Sequence, residues 1–212
     1  MGSIAVVDYG MGNLRSVAKA LERVAGGAAV RVTQDPAVLA AADRVVFPGV
    51  GAIRDCVHEI DRLGLRAPLL AAARGKPFLG ICLGMQALLE ESEENGGTPG
   101  LGLIAGAVPR FAAPLTDAAG QKLKVPHMGW NQVRQTVAHP LWEGIAQDAR
   151  FYFVHSYHVQ PDDPAWVAGS TDYGGAFVSA IAREALFAVQ FHPEKSQAAG
   201  LRLLENFCHW NP

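Results

Sequence analysis

Lys76-Pro77-Phe78-Leu79-Gly80-Ile81-Cys82-Leu83-Gly84-Met85-Gln86 is the stretch on which the reading of this chain turns. Phe78, Leu79 and Ile81 form an apolar run opened by Pro77, which reads as a short buried strand. Beyond Cys82, Leu83, Met85, Leu88 and Leu89 recur at helical spacing, and Glu90 and Glu91 continue the pattern. Cys82 therefore falls where a strand turns into a helix, with Gly80 and Gly84 two residues to either side. A sharp strand-to-helix turn crowds the backbone around its central residue, and glycine has no Cβ to clash. The arrangement is that of a nucleophile elbow, G-x-S-x-G, with a thiol in place of the hydroxyl. A helix start offers unpaired N–H groups and the positive end of a dipole, both of which favour a thiolate. Most free cysteines are nevertheless buried small hydrophobes, so the chemistry of Cys82 depends on partners elsewhere in the chain.

Working outward, residues 4–9 read as a first strand, and Gly10-Met11-Gly12-Asn13 turns it into a helix with Leu14, Val17, Ala18, Leu21 and Val24 on one face. A second strand at 30–33 precedes a short alanine-rich helix. A third, 44–47, is closed by Pro48-Gly49-Val50-Gly51, and helical pieces at about 53–63 and 68–73 lead to the Cys82 strand. This β-α alternation predicts a parallel sheet with helices on both faces. From residue 92 the rhythm changes. Residues 92–100 read as an acidic, glycine-rich surface loop, and 108–111 with 123–125 as a hairpin around Thr116-Asp117-Ala118-Ala119-Gly120. Segments 151–157, 166–170, 177–183 and 186–191 look mostly like antiparallel strands, and a helix at about 198–210 closes the chain. With no internal repeat, low-complexity tract or linker, residues 1–212 are expected to form one α/β domain.

The composition excludes several classes of function. Eighteen basic residues against 20 acidic ones leave a formal charge of −2, with no run of like charge, so a nucleic-acid-binding surface is not expected. No apolar segment approaches the ~18 residues of a membrane span, and the N-terminus lacks a signal-peptide pattern. Met1-Gly2 opens a myristoylation pattern that Val6 breaks, where Ser or Thr is needed. Three cysteines, Cys56, Cys82 and Cys208, make no disulfide framework and point to a reducing, cytoplasmic setting.

Gln190-Phe191-His192-Pro193-Glu194-Lys195-Ser196 places His192 after an apolar strand, with Glu194 two residues on. A thiol nucleophile needs a base to take its proton and return it to the leaving amine, and that base needs an orienting carboxylate. His192 and Glu194 are those residue types. The glycines of Pro48-Gly49-Val50-Gly51 let backbone N–H groups approach a ligand, where Val50, Gly51 and the N–H of Leu83 could hold a tetrahedral oxyanion.

Together, Gly80-Ile81-Cys82-Leu83-Gly84-Met85-Gln86 and His192-Pro193-Glu194 resemble the class I, triad-type glutamine amidotransferases. The stretches from Asp8 to Val17, Pro48 to Gly51, Pro126-His127-Met128-Gly129-Trp130-Asn131 and His155-Ser156-Tyr157-His158 resemble one branch of them, the glutaminase subunits that feed a cyclase of histidine biosynthesis. The resemblance spans residues 8 to 196 in the family's order, with no departure at a triad position. It implies a flavodoxin-like fold with a mostly parallel sheet and an antiparallel excursion in the C-terminal half, and no cofactor. It also implies hydrolysis of L-glutamine through a glutamyl thioester on Cys82, and a (β/α)₈-barrel cyclase as heterodimeric partner. Gly49, Gly51, Gln86, His155, Ser156 and Tyr157 are then expected to bind substrate, and Asn13, Met128, Trp130, Asn131 and Lys195 to face the partner. A glutaminase for a different synthase, or a non-catalytic binding subunit of the same fold, would keep the architecture. The stretches 8–17 and 126–131 disfavour the former and the intact Cys82, His192 and Glu194 the latter.

Two lookalikes are set aside on the residues. Gly10-x-Gly12 imitates a dinucleotide fingerprint, with Asp35 near the place of a ribose-binding acid, but Arg15 replaces the third glycine. His155 and His158 could ligate a metal, but three residues apart on a strand they should point to opposite faces.

Overall fold

The computed structural model describes residues 2–117 and 119–212. In chain order, β1 (Ser3–Val7) leads to α1 (Leu14–Val24), β2 (Ala29–Thr33), α2 (Pro36–Ala41), β3 (Arg44–Gly49), α3 (Ile53–Arg62), α4 (Arg66–Gly75) and β4 (Phe78–Cys82). Next come α5 (Leu83–Gln86), β5 (Leu89–Ser92), β6 (Thr98–Pro99), β7 (Ile104–Val108), β8 (His127–Gln135), β9 (Ala149–His155) and β10 (Gln160–Pro161). The chain ends with β11 (Val167–Asp172), β12 (Ala176–Arg183), β13 (Leu186–Val189) and α6 (Gln197–His209). Among the described residues no helix is long and apolar enough to cross a membrane.

The main sheet has the order β2-β1-β3-β4-β13-β12-β11-β8-β9. Its first five strands are mutually parallel, in the 2-1-3-4-5 order of a flavodoxin-like sheet. The remaining pairings are antiparallel. In β1, Ile4 and Val6 pack into one cluster with Val17 and Leu21 of α1 and Leu203 and Phe207 of α6. Ala5 and Val7 join the other, with Leu39, Ile53, Ile60 and Leu69 from α2, α3 and α4. That period-two split across a sheet covered on both faces is why the parallel strands read as unbroken apolar runs. β4, at the centre, is buried at every position.

The strands and helices up to Cys82 lie where the sequence puts them. Asp35 accepts a hydrogen bond from the Ala37 amide at 2.8 Å and caps α2, with Pro36 at the first helical position. Its carboxylate is thus taken up locally.

Three expectations fail. The helix after Cys82 lasts a single turn, and Glu90 and Glu91 belong to β5 instead. The amides of Leu101, Leu103 and Gly102 bond the carbonyls of Ala87, Leu88 and Leu89, which a continuing helix would need for itself. A second sheet, β10-β7-β5-β6, forms in its place. The hairpin expected across 108–111 and 123–125 shrinks to one bridge, Thr116 to Lys122, closed by Asp117 accepting from the Ala119 and Gln121 amides. Pro109, Pro114 and Pro126 remove the donors that a ladder would require, and Ala118 of the expected turn lies outside the described residues. Lastly β8, nine residues long and paired with both β9 and β11, was not read as a strand. Only Val133 and His127 in it are buried, so it shows little apolar alternation.

Candidate active site

The site lies at the carboxyl ends of β3, β4 and β13, where open α/β sheets hold their ligands. Gly49 pairs with Cys82 in the β3–β4 register, and Val189 with Ile81 in β4–β13, which brings the three strand ends level. Cys82 has φ 55° and ψ −109°, a conformation that costs an L-residue roughly 1–3 kcal/mol and persists only where packing enforces it. The neighbouring glycines supply that packing. A Cβ on Gly84 would overlap the Phe47 carbonyl oxygen, and one on Gly80 would come within 2.9 Å of the Ala188 Cβ. The elbow therefore holds as predicted, but α5 is one turn long and contributes only a fraction of a helix dipole.

His192 is clamped by its backbone. Its amide donates to the Tyr152 carbonyl at 2.9 Å, and its carbonyl accepts from Ser196 Oγ at 2.6 Å. Pro193 then opens a single 3₁₀ turn that swings Glu194 beneath the ring. His192 Nδ1 and Glu194 Oε1 stand 2.9 Å apart, with side chains 2% and 1% exposed. Among the described residues Nε2 has no hydrogen-bond partner, and it opens onto the cavity that also holds Cys82. Burial opposes a charge on His192, but Cys82 opposite and the Glu194 carboxylate behind outweigh it and raise the imidazole to about 10. The ring is thus a proton acceptor matched to a thiol.

That cavity measures about 280 Å³, at the small end of the roughly 300–1,000 Å³ usual for small-molecule sites. Val50 and Gly51 line it from the β3 turn, Cys82, Leu83 and Gln86 from the elbow, and His155, Ser156 and Tyr157 from the end of β9. Leu83 is the first residue of α5, so its N–H has no acceptor within the helix. Gly51 has φ +93°, which a side chain would resist. Gln86 Nε2 donates to the Tyr157 carbonyl at 3.0 Å and to Gln190 Oε1 at 2.9 Å. Only its Oε1 is left for a ligand.

The class I glutamine amidotransferase family model matches residues 5–210. The chain belongs to that family. The imidazole glycerol phosphate synthase subunit HisH of Methylococcus capsulatus is 62% identical, the match covering all of this chain and 98% of that one. The protein of the same name from Nitrosococcus oceani is 61% identical over 100% of this chain and 99% of its own. A crystal structure described as a glutamine amidotransferase has a TM-score of 0.71 at 17% identity, covering 97% of this chain and 99% of that one. At that identity the likeness concerns the fold.

Not every residue expected to serve the amidotransferase site reaches the cavity. Gly49 packs behind it, where a Cβ would meet the Tyr9 hydroxyl and come 2.8 Å from the Cβ of Leu83, so its part is to let Tyr9 and the start of α5 pack against β3. His155 reaches the cavity edge, but its Nδ1 bonds the Tyr157 carbonyl at 2.8 Å and its Nε2 pairs with His127 Nδ1 at 3.0 Å. Burial lowers His155 to about 3 and His127 to about 4, so both rings stay neutral at neutral pH. β9 ends at His155, so strand alternation does not carry on to His158. Both rings pack on Phe111, at 5.2 and 4.9 Å between centroids, rather than facing apart.

Glu94 also lines the cavity, which its place in the sequence does not predict. It stood in what read as a surface loop, and its carboxylate is fixed by the Ile53 amide at the start of α3, 2.8 Å away. The only sequence signal is an acidic residue in a loop, which is commonplace.

Of the residues expected at a partner face, Met128 and Trp130 are 62% and 41% exposed. They lie on one face of β8, across from Val154 and Tyr152. Lys195 Nζ sits 5.8 Å above the Tyr152 ring. Asn131 is instead turned inward, donating to the Asp172 carbonyl at 2.8 Å and accepting from the Gln132 amide at 2.8 Å. Asn13 occupies the N-cap position of α1, half-buried, without a side-chain capping bond.

Proposed function

We propose that this chain is the glutaminase subunit of an imidazole glycerol phosphate synthase, hydrolysing L-glutamine to glutamate and ammonia for a (β/α)₈-barrel cyclase in histidine biosynthesis. The observation that carries the chemistry is the meeting of the Cys82 elbow with the buried, Glu194-bonded His192 in one cavity. The assignment to this synthase is supported by relatives at about 60% identity along the whole chain.

In this reading His192 Nε2 takes the Cys82 proton, and the thiolate attacks the side-chain amide carbon of glutamine. The resulting oxyanion is held by N–H groups of Leu83 and of the Val50–Gly51 turn, each such donor being worth roughly 10²–10³ in rate. His192 returns its proton to the departing ammonia, leaving a glutamyl thioester that water hydrolyses by the reverse route. Glu194 keeps the imidazole oriented and stabilises its charged form. At the far end of the cavity Gln86 Oε1 and the Glu94 carboxylate can only accept, which suits an α-ammonium group. The backbone of Ser156 and Tyr157 borders the same end.

The patch of exposed Met128, Trp130 and Lys195 with half-buried Tyr152 adjoins this cavity, because Val154 both pairs with Met128 and lines it. A cyclase seated there receives ammonia before water protonates it. The whole chain acts as one domain, since its main sheet takes strands from both halves.

Steady-state glutamate release in the presence of the cyclase tests the reading, and its absence would reject it. Within that assay Glu194→Gln is expected to retain the fold and lower turnover by about 10²–10⁴-fold, less than His192→Ala, because it orients without breaking bonds. Unchanged turnover would remove Glu194 from the machinery.

A further inference from the structure

Gln190 follows β13, two residues before His192, and is wholly buried, yet no step above uses it. A buried primary amide carries donors and an acceptor that must all be placed. Its orientation follows from a fixed starting point. The Tyr157 carbonyl can only accept, so the end of Gln86 that meets it is Nε2. That nitrogen also donates to Gln190 Oε1 at 2.9 Å, leaving Gln190 Nε2 directed at Cys82 Sγ, 3.6 Å away. The same carbonyl orders the histidines. His155 Nδ1 donates to it, so His155 Nε2 accepts from His127 Nδ1, and His127 Nε2 accepts from Asn131 Nδ2 at 3.3 Å. Polar contacts therefore run unbroken from the surface strand β8 to the sulfur.

We propose that Gln190 is a positioning residue for the reaction: its amide N–H holds the Cys82 thiolate in place, and Gln86 holds Gln190. This rests on Cys82 being the nucleophile. On another side of the sulfur lies the Val154 carbonyl at 4.0 Å, an acceptor that suits a thiol and repels a thiolate. When Cys82 gives up its proton, the charge is drawn to the donor side, while the backbone at φ 55° is held by the flanking glycines. Gln86 also borders the cavity, so an ammonium group on its Oε1 polarises the Gln86–Gln190–sulfur chain. Substrate occupancy and the state of the nucleophile are linked through two side-chain amides.

The titratable groups around the sulfur are His192 with Glu194 behind it, Tyr9 beneath, and His155 and Glu94 across the cavity. The test therefore varies Gln190 alone. Alkylation of Cys82 by iodoacetamide is followed against pH by peptide mass spectrometry in the wild type, Gln190→Met and Gln190→Glu. Methionine keeps the length and removes the donor; glutamate keeps an acceptor for Gln86 and turns a carboxylate toward the sulfur. The rate profile of Gln190→Met should move to higher pH by about one unit, and that of Gln190→Glu further. With glutamine, kcat of Gln190→Met should fall about tenfold while KM stays within about twofold. A purely structural role would not order the two profiles by charge. Coincident profiles, with Cys82 still labelled, would overturn the role of Gln190 and leave the nucleophile intact. No labelling of Cys82 in the wild type would instead overturn the nucleophile, and this role with it. If neither variant folds, the Gln190 side-chain amide resonance of ¹⁵N-labelled wild type decides. It should shift on alkylation of Cys82, and an unmoved resonance would refute the contact.

Discussion

Cys82→Ala should reduce glutamine hydrolysis by roughly 10⁵–10⁶-fold, the loss seen when the bond-forming member of a nucleophile–base unit is removed. The effect is large because the remaining groups cannot substitute. His192 could activate water, but the oxyanion donors on Leu83 and the Val50–Gly51 turn are placed around a carbon bonded to the sulfur. Binding should survive, since Gln86 and Glu94 are untouched and the cavity gains only the volume of one sulfur atom. The thermal midpoint should change little: Cys82 is 7% exposed, and alanine inherits the same strained φ. The check is glutamate release by the complex beside a thermal melt of the variant. Activity within tenfold of wild type would remove Cys82 from the chemistry.

The second large effect concerns control. Ammonia released into water at neutral pH is protonated and useless as a nucleophile, so turnover without a waiting acceptor wastes glutamine. The isolated chain should therefore be slow and the complex fast, faster still when the cyclase carries its nucleotide ligand. A rise of about 10³-fold corresponds to roughly 4 kcal/mol in the barrier, the range of a single oxyanion donor. The turn from Gly49 to Gly51 is where such a donor can be gained. Gly51 stands at φ +93° against Met11, and Val50 is 36% exposed at the cavity mouth. Glutamate release by the chain alone, the complex, and the complex with ligand measures this directly. Equal rates for chain and complex would exclude partner control.

Legibility in the sequence followed the locality of the forces. The nucleophile elbow could be read because close backbone packing leaves glycine as the only residue that fits at positions 80 and 84, and because β4 is buried throughout. His192 and Glu194 could be read because a proline-opened turn fixes their spacing within three residues. Glu94 could not, because what makes it part of the cavity is the start of α3, 41 residues earlier in the chain. β8 escapes because one side of it is exposed and two of its three apolar side chains, Met128 and Trp130, face outward, leaving Val133 alone buried. Leu88 and Leu89 keep a helical period while their carbonyls are claimed by amides from residues 102–104, a competition that spacing alone does not register. Gln190 stands beside His192 in the sequence, but its meaning lies in Gln86 and Cys82, more than a hundred residues away.

The most direct test of the proposed chemistry is covalent labelling with an electrophilic glutamine analogue such as a diazoketone, followed by peptide mapping. Three cysteines compete for it. Cys56 lies in α3 and Cys208 in α6, and burial pushes their thiols up to about 12 and 11, so neither supplies appreciable thiolate at neutral pH. Cys82 faces His192 across the cavity. The expected result is a single adduct on Cys82 that glutamine protects against and that disappears in Cys82→Ala. Comparable labelling of Cys208, or an adduct that persists in Cys82→Ala, would contradict the assignment of Cys82 as the nucleophile.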